Sequence, residues 1–155
     1  MSSRVDLSKT SDYKDLLSVF NAFRVRYLVA GGYAVMQYTE PRYTKDLDVR
    51  IDRSPPNSRR VYRALASVGA PLKDITENDF SDRYSIVQIG MAPVRIDIIM
   101  NLSGVRFSTA WLRRKRVVVR GMSVNFISRA DLIKAKKAAG RQQDLIDLDN
   151  LLGKT

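Results

Sequence analysis

The chain has 155 residues, of which 45% are hydrophobic, and its 27 Lys and Arg against 16 Asp and Glu give a net charge of +11. It contains no cysteine and no histidine, which excludes disulfide frameworks, thiolate zinc sites and any catalytic imidazole or thiolate. The positive excess favours a polyanionic partner, nucleic acid first and an acidic membrane surface second, and an acidic partner protein would also fit. The length predicts one domain, residues 1–155, with a sizeable core.

The N-terminal segment MSSRVDLSKTSDYKD contains no apolar core of the kind that a secretory signal requires. No stretch of the sequence approaches the roughly 18 apolar residues that a membrane-spanning helix needs. The sequence therefore predicts a soluble cytoplasmic protein without a membrane partner.

Apolar periodicity and turn residues predict alternating helices and strands in the N-terminal half. These elements are a helix over 12–23, a strand over 26–30, a short helix over 33–38, a strand over 46–51 and a helix that begins near 55. Val61, Leu65 and Val68 give this last helix its apolar stripe.

Strands are more frequent in the C-terminal half, which ends in two helices. The predicted elements are strands over 84–89 and 94–100 joined by a hairpin at 90–93, a helical turn over 107–113, strands over 116–120 and 123–127, and helices over 129–139 and 142–152. Leucines give the final helix an apolar stripe: Leu145, Leu148, Leu151 and Leu152. This order predicts an α+β fold, a mixed sheet with helices packed mainly on one side.

Two short motifs in the N-terminal half indicate the chemistry. An apolar strand ends in Gly31-Gly32, and residues 33–45 separate this turn from Asp46-Leu47-Asp48. Because strand side chains alternate, Asp46 and Asp48 face the same side, roughly 6–7 Å apart at Cα. A divalent cation would remove their repulsion, and magnesium favours such oxygen ligands. A glycine turn that opens a helix offers N–H groups to a phosphate, so the two motifs indicate phosphoryl or nucleotidyl transfer.

The glycine pair, the spacing and the two acids resemble the signature of the DNA polymerase β-like nucleotidyltransferase superfamily. That family uses a third acid on a neighbouring strand between apolar residues, and Asp97 fits this description. Further segments resemble a minimal bacterial branch that includes AbiEii-type toxin nucleotidyltransferases: Arg42-x-Thr44, Asn101 to Val105, and the tail from Asp131 to Asp147 with Lys136 and Arg141. The resemblance covers about residues 16 to 152 and implies the nucleotidyltransferase fold.

The resemblance also implies site residues and cofactors. Asp46, Asp48 and Asp97 would hold two magnesium ions, and Asp97 would help to deprotonate the acceptor hydroxyl. The residues expected to bind the nucleotide triphosphate are Gly31, Gly32, Arg42, Thr44, Lys136 and Arg141. Many relatives carry serine where this chain has Gly32, which leaves phosphate binding here to backbone donors. Thr44 is expected either to hydrogen-bond the nucleotide or to brace its loop.

The implied reaction is magnesium-dependent transfer of a nucleoside monophosphate from an NTP to a hydroxyl. The expected acceptor is RNA, tRNA in particular, in the manner of a toxin of a toxin–antitoxin or phage-defence system. An antitoxin protein or a second copy in a homodimer would then be a partner. A small-molecule or protein hydroxyl is the second expectation, although the positive charge of the chain disfavours a cationic antibiotic. A catalytically silent relative that binds nucleic acid or a partner protein is the third.

Several of these residues also have a structural interpretation. Ion pairs with Arg50 and Arg95, the basic neighbours of the acids, would neutralise Asp46, Asp48 and Asp97 without a metal. A basic cluster is expected to contact the phosphate backbone of nucleic acid near a sheet edge, or else to be a solvated charge run: Arg113, Arg114, Lys115 and Arg116. Lys136 fits either a ligand role or a solvated helix face. Acids near the start of the final helix are expected to offset its dipole: Asp144, Asp147 and Asp149.

Overall fold

The computed structural model of the chain describes residues 11–91 and 94–154. The strands are β1 (Tyr27–Ala30), β2 (Asp46–Ile51), β3 (Ile86–Met91), β4 (Val94–Ile99), β5 (Lys115–Val119) and β6 (Met122–Phe126). The α-helices are α1 (Ser11–Ala22), α2 (Gly31–Tyr38), α3 (Pro55–Ser67), α4 (Phe107–Leu112), α5 (Arg129–Ala139) and α6 (Gln142–Leu151), and a 3-10 helix spans Glu77–Ser81. Every α-helix predicted from periodicity is present.

The strands form one six-stranded sheet in the order β3-β4-β2-β1-β6-β5. In its centre β2 runs antiparallel to β1 and parallel to β4, and β1 runs parallel to β6. The sheet is therefore mixed, and the predicted α+β fold is confirmed. An antiparallel pair of strands forms each edge of the sheet: β3 pairs with β4 at one edge, and β5 pairs with β6 at the other.

Side-chain alternation in β2 divides the sheet into an apolar face and a polar face. Leu47, Val49 and Ile51 are fully buried in the core, whereas Asp46 and Asp48 are only partly buried on the opposite face. The chain leaves the fully buried strand β1 and enters α2 directly. Helix α2 packs against β2, α5 and α6. The predicted alternation is therefore confirmed, and it places both carboxylates beside the C-terminal helices.

Some element bounds differ from the sequence prediction. Val68 lies just beyond α3 and is 49% exposed, so it is not part of the buried stripe of that helix. Tyr84 is also exposed, and β3 begins two residues later at Ile86. The 3-10 helix was not predicted; Thr76 and Asp79 form a capping box at its start. Of the predicted hairpin at 90–93, residues 92 and 93 lie outside the described part of the chain.

The predicted leucine stripe of α6 is wrong in part, because only Leu151 of its four leucines is buried. Leu145 is 51% exposed and Leu152 follows the helix, whereas the buried positions are Asp144, Asp147 and Leu151. These three residues follow the i, i+3, i+7 spacing of one helix face. The helix therefore buries a face that contains two carboxylates. Among the described residues, no helix has the length and apolar character to cross a membrane.

Candidate active site

The register of β2 and β4 brings the three predicted acids onto one face of the sheet. Asp48 lies directly opposite Asp97 on the parallel neighbour, and Asp46 lies opposite Arg95. Arg95 connects the other two acids, because its Nη2 lies 2.8 Å from Asp46 Oδ2 and its Nε lies 3.3 Å from Asp97 Oδ1. The ion-pair interpretation is thus correct for Arg95. Arg50 takes no part: it is buried against the ring of Phe107.

Asp48 differs from its two neighbours because no described cation lies within ion-pair distance of its carboxylate. Among the described residues, no ion pair or side-chain hydrogen bond to its carboxylate is formed. Burial, and then the nearby charges of Asp97 and Asp46, raise the pKa of Asp48 from 3.8 to about 6, while Lys136 and Arg141 act in the opposite direction. Burial also raises the pKa of Asp97, against the charge of Arg95. The ionised site therefore has excess negative charge at Asp48.

A divalent cation would be suited to this donor set by charge and by ligand type. Asp48 and Asp97 supply hard carboxylate oxygens on adjacent strands, and the raised pKa of Asp48 is the usual sign of a carboxylate that lacks a neutralising charge. In the described part of the chain, however, no three acidic side chains are close enough together to form a metal site. The guanidinium of Arg95, between Asp46 and Asp97, is the group that separates them.

The glycine turn lies in direct contact with these acids. Gly31 has a φ of 64°, and a Cβ there would lie only 2.8 Å from Asp48 Cγ. A Cβ on Gly32 would lie 2.8 Å from Thr44 Oγ1 and 3.1 Å from an Arg42 guanidinium nitrogen. The N-cap of α2, Ala30, provides no side-chain hydrogen bond. The N-cap side chain therefore does not cap the first N–H groups of α2, and Gly31 and Gly32 lie where Asp48, Thr44 and Arg42 meet.

Gly31→Ala is expected to destabilise the protein by more than the same change at Gly69. Both glycines have positive φ values, 64° and 72°, so alanine is strained by roughly 1–3 kcal/mol at either position. A methyl group at Gly31 also overlaps the carboxylate of Asp48, whereas no atom lies within 4 Å of one at Gly69. Urea unfolding of both variants measures the difference. Equal losses of stability would show that Gly31 does not need its close approach to Asp48.

The predicted cations of the site are held by the acidic face of α6. Lys136 is buried, and its Nζ lies 3.1 Å from Asp144 Oδ1 and 3.0 Å from Asp147 Oδ2. Arg42 contacts both oxygens of Asp147, with Nε 3.1 Å from Oδ1 and Nη2 3.1 Å from Oδ2. Arg141 Nε lies 2.7 Å from Asp144 Oδ2, although most of its side chain is exposed. The cations are therefore fixed in place beside Asp48.

Sequence reasoning missed this role of Asp144 and Asp147. Both were interpreted as charges that offset the helix dipole, but they are buried and ion-paired. The alternative that Lys136 belongs to a solvated helix face is wrong for the same reason. A signal was present in the sequence, since the two acids share one helix face with Leu151 while the exposed Leu145 and Ile146 lie off that face.

The basic run 113–116 lies at the sheet edge, as predicted, but its side chains do not form one free patch. Arg113 pairs with Asp131, with Nη2 2.9 Å from Oδ1. The guanidinium of Arg114 lies 3.7 Å from the ring centroid of Trp111. Lys115 lies over the ring of Tyr38, and Arg116 is exposed on the edge strand β5.

A family model described as "Nucleotidyl transferase of unknown function (DUF2204)" matches residues 9–153. No curated protein sequence matches the chain. A lincosamide antibiotic adenylyltransferase, LnuA, solved with lincomycin, is similar in structure at 17% identity and a TM-score of 0.57, over 92% of this chain and 97% of that one. A putative nucleotidyltransferase from Thermotoga maritima has 14% identity and a TM-score of 0.64, over 97% and 96%.

A third similar structure is ANT(2")-Ia in complex with adenylyl-2"-tobramycin, with 9% identity and a TM-score of 0.60, over 94% of this chain and 88% of that one. At these identities the likeness concerns the fold, which is the nucleotidyltransferase fold in each case. The six-stranded mixed sheet and its helices are therefore a known framework for nucleotidyl transfer.

Proposed function

This chain belongs to the nucleotidyl transferase family whose model it matches, and from that premise we propose that it moves a nucleoside monophosphate from an NTP to a hydroxyl of RNA. One observation carries the assignment of the site. The partly buried carboxylate of Asp48, which forms no ion pair with a described residue, lies beside Asp97 and against the glycine turn that opens α2. A site that places acids and a helix N-terminus together suits the phosphates and the attacking hydroxyl of this reaction.

Each group of residues has a proposed part in the reaction. The N–H groups that follow Gly31 and Gly32 hold the β- and γ-phosphates, and Thr44 braces the loop beside them. Arg42, Lys136 and Arg141 balance the charge of the triphosphate. Asp97 takes the proton of the acceptor hydroxyl as its oxygen attacks the α-phosphorus, and the bond to the β-phosphate breaks to release pyrophosphate. Magnesium, which Asp48 and Asp97 would hold while Asp46 pairs with Arg95, would supply further charge neutralisation for the triphosphate and would lower the pKa of the attacking hydroxyl.

The ion pairs of α6 fit this proposal because they orient the cations before the nucleotide arrives. Asp147 contacts both Arg42 and Lys136, and each cation has further N–H donors for a phosphate. Charges that are already oriented stabilise a transition state at a lower free-energy cost than charges on flexible side chains, which must first be ordered. Asp144 and Asp147 are therefore proposed as positioning residues.

RNA, and tRNA in particular, is the acceptor that the net charge of +11 favours. A small-molecule hydroxyl is the second candidate, since two proteins of this fold were solved with lincomycin and with adenylyl-2"-tobramycin. A cationic antibiotic fits a basic chain poorly. The proposal includes a single domain over 1–155 and a cytoplasmic role like that of AbiEii-type toxins, with an antitoxin or a second copy as partner.

The direct experiment is incubation with each α-labelled NTP, magnesium and total RNA, followed by identification of the labelled product. Label on RNA, and on tRNA above other RNA, is the expected result. Label found only on a small molecule or on protein would identify a different acceptor, while the proposed nucleotidyl transfer would stand. Absence of transfer to any acceptor would contradict the proposed reaction.

Magnesium-dependent NTP binding is expected to raise the melting temperature. A ligand that binds only the folded state adds about 2.7 kcal/mol at a hundredfold excess over its dissociation constant. Melts with magnesium and ATP, GTP, CTP or UTP should show a shift for at least one nucleotide. Arg42→Ala should reduce the shift, whereas Arg59→Ala, an exposed arginine of α3, should not. No shift with any NTP at millimolar concentration would contradict nucleotide binding at this site.

A further inference from the structure

A cavity of about 690 Å³ lies at the C-terminal end of β2, on the far side of Arg50 from the acids. Four arginines line it: Arg50, Arg53, Arg83 and Arg106. Asp52 is the carboxylate among the lining residues, and it accepts hydrogen bonds from the N–H and the hydroxyl of Ser54, at 3.0 and 3.2 Å. The lining thus has a large positive excess, and its carboxylate is already hydrogen-bonded.

Arg50 is the buried cation of this cavity, with 6% of its surface exposed. Its Nε donates to the carbonyl of Ile51 at 3.1 Å, and its guanidinium lies 5.5 Å from the ring centroid of Phe107. Its Nη1 is buried and has no hydrogen-bond partner among the described residues. A buried charged donor without an acceptor is destabilising, so a ligand that supplies an acceptor there would be bound favourably.

The N-terminus of α3 adds a second source of positive potential. Its N-cap Ser54 and the proline that follows both line the cavity, and Ser54 provides no side-chain cap. The helix has 13 residues, and the positive end of its dipole is directed at the cavity. Because residues 55 and 56 are both proline and have no N–H, this terminus attracts a phosphate through the helix dipole rather than through backbone donors at its first two positions.

The cavity continues the face of the sheet that carries the acids. Arg50 and Asp48 are two positions apart on β2, so their Cα atoms lie roughly 6–7 Å apart on the same face. A second cavity of about 260 Å³ shares Val105 and Arg106 with the first, and it is also lined by Lys134 and by the ion pair of Arg113 with Asp131. Positively charged side chains therefore extend from the region of the acids to the loop that precedes α4.

We propose that this arginine-lined cavity binds phosphodiester groups of the RNA acceptor near its reacting end. The inference rests on the proposed nucleotidyl transfer to RNA and adds the place where the acceptor lies. A strand in the cavity would bring the hydroxyl of its terminal nucleotide toward Asp97, with its next phosphates at Arg50 and the start of α3. The shared boundary with the second cavity suits a ligand with several phosphates in a row.

The experiment compares two pairs of exposed arginines. Arg83→Gln with Arg106→Gln removes two charges from the cavity, and Arg60→Gln with Arg63→Gln removes two from α3 outside it. Binding of a labelled single-stranded RNA oligonucleotide is measured without NTP at several salt concentrations. The cavity pair should weaken binding and reduce the slope of log K against log salt by about 1.4, since each lost phosphate contact of a single strand accounts for about 0.7. The α3 pair should leave the slope unchanged.

Equal effects of the two pairs would overturn the inference, since they would show a general response to net charge. A wild-type protein that binds no RNA would also overturn it, whatever small molecule accepts label. If wild type labels RNA but the cavity pair binds RNA normally, the cavity assignment fails and the proposed function stands. Arg50→Met adds a test of the buried cation: weaker RNA binding with an unchanged NTP-induced melting shift is expected, and unchanged RNA binding counts against the cavity.

Discussion

Asp48→Asn is expected to abolish nucleotidyl transfer and, above pH 6, to make the protein more stable. Loss of one charge-stabilising group from an active site lowers the rate by roughly 10²–10³-fold, and a residue that also holds the metal should cost at least this much. Stability should rise because the partly buried carboxylate lies beside Asp97 and Asp46 and pairs with no described cation, and the amide removes the repulsion between the acids.

The pH dependence of this gain follows from the pKa of Asp48, which burial and its acidic neighbours raise from 3.8 to about 6. Below pH 4 the group is protonated in both the folded and the unfolded states, so the two proteins should be equally stable. Between pH 4 and pH 6 the unfolded chain releases the Asp48 proton while the folded protein retains it, so the wild type loses stability through this range and the loss levels off above pH 6. The wild type should therefore lose roughly 1–3 kcal/mol relative to Asp48→Asn.

Thermal melts at pH 4, 6 and 8 with a chelator measure this difference, and a labelled transfer assay measures activity. Roughly 2–4 °C per kcal/mol is the expected size of the shift for a protein of this length. Asp149→Asn, a change at an exposed position of α6, is the control and should alter neither quantity. A variant that melts earlier than wild type at pH 8 would show that Asp48 is a structural ion-pair partner and that the site assignment is wrong.

Asp147→Ala is expected to be the most destabilising change in the site. The carboxylate is fully buried and contacts both Arg42 and Lys136, so its removal leaves the partly exposed Arg42 without its carboxylate and the buried Lys136 with Asp144 alone. Breaking a buried ion pair in this way costs roughly 3–5 kcal/mol. Transfer activity should fall as well, because both cations would lose their position beside Asp48.

Urea unfolding measures the loss, with Asp149→Ala on the same helix as the exposed control. A double variant, Lys136→Met with Asp147→Leu, separates structure from chemistry. It replaces a buried charged pair by apolar residues and should recover part of the stability without recovering transfer. Full activity in a stable double variant would exclude the proposed positioning role of Asp147.

The features predicted correctly from sequence are those that depend on neighbours along the chain. Alternation alone placed Asp46 and Asp48 on one face of β2, because side-chain direction in a strand is fixed by the backbone. The glycine turn before α2 was predicted for a similar reason, and Gly31 does adopt a positive φ of 64°. Arg95 was foreseen as an ion-pair partner because it lies two positions before Asp97 on the same strand face.

What was missed depends on contacts between distant parts of the chain. Hydropathy predicts that Asp144 and Asp147 are exposed and that Leu145 is buried. A hydropathy scale does not include the cations with which the two acids form buried ion pairs. The basic run 113–116 was treated as one cluster, yet the partners of Arg113 and Arg114 lie on different elements. The separation of Asp46 from Asp97 by the Arg95 guanidinium required side-chain positions rather than spacing.

Because Arg42 pairs with a residue far along the chain, the ion pairs of this site can form only late in translation. Asp147 is added 105 residues after Arg42, so at about 5–20 residues per second the arginine is made roughly 5–20 s before its partner. Lys136 is likewise made before Asp144 and Asp147. A ribosome that stalls before α6 would therefore hold a chain in which all six strands have been synthesised but Arg42 and Lys136 still lack the carboxylates of Asp144 and Asp147.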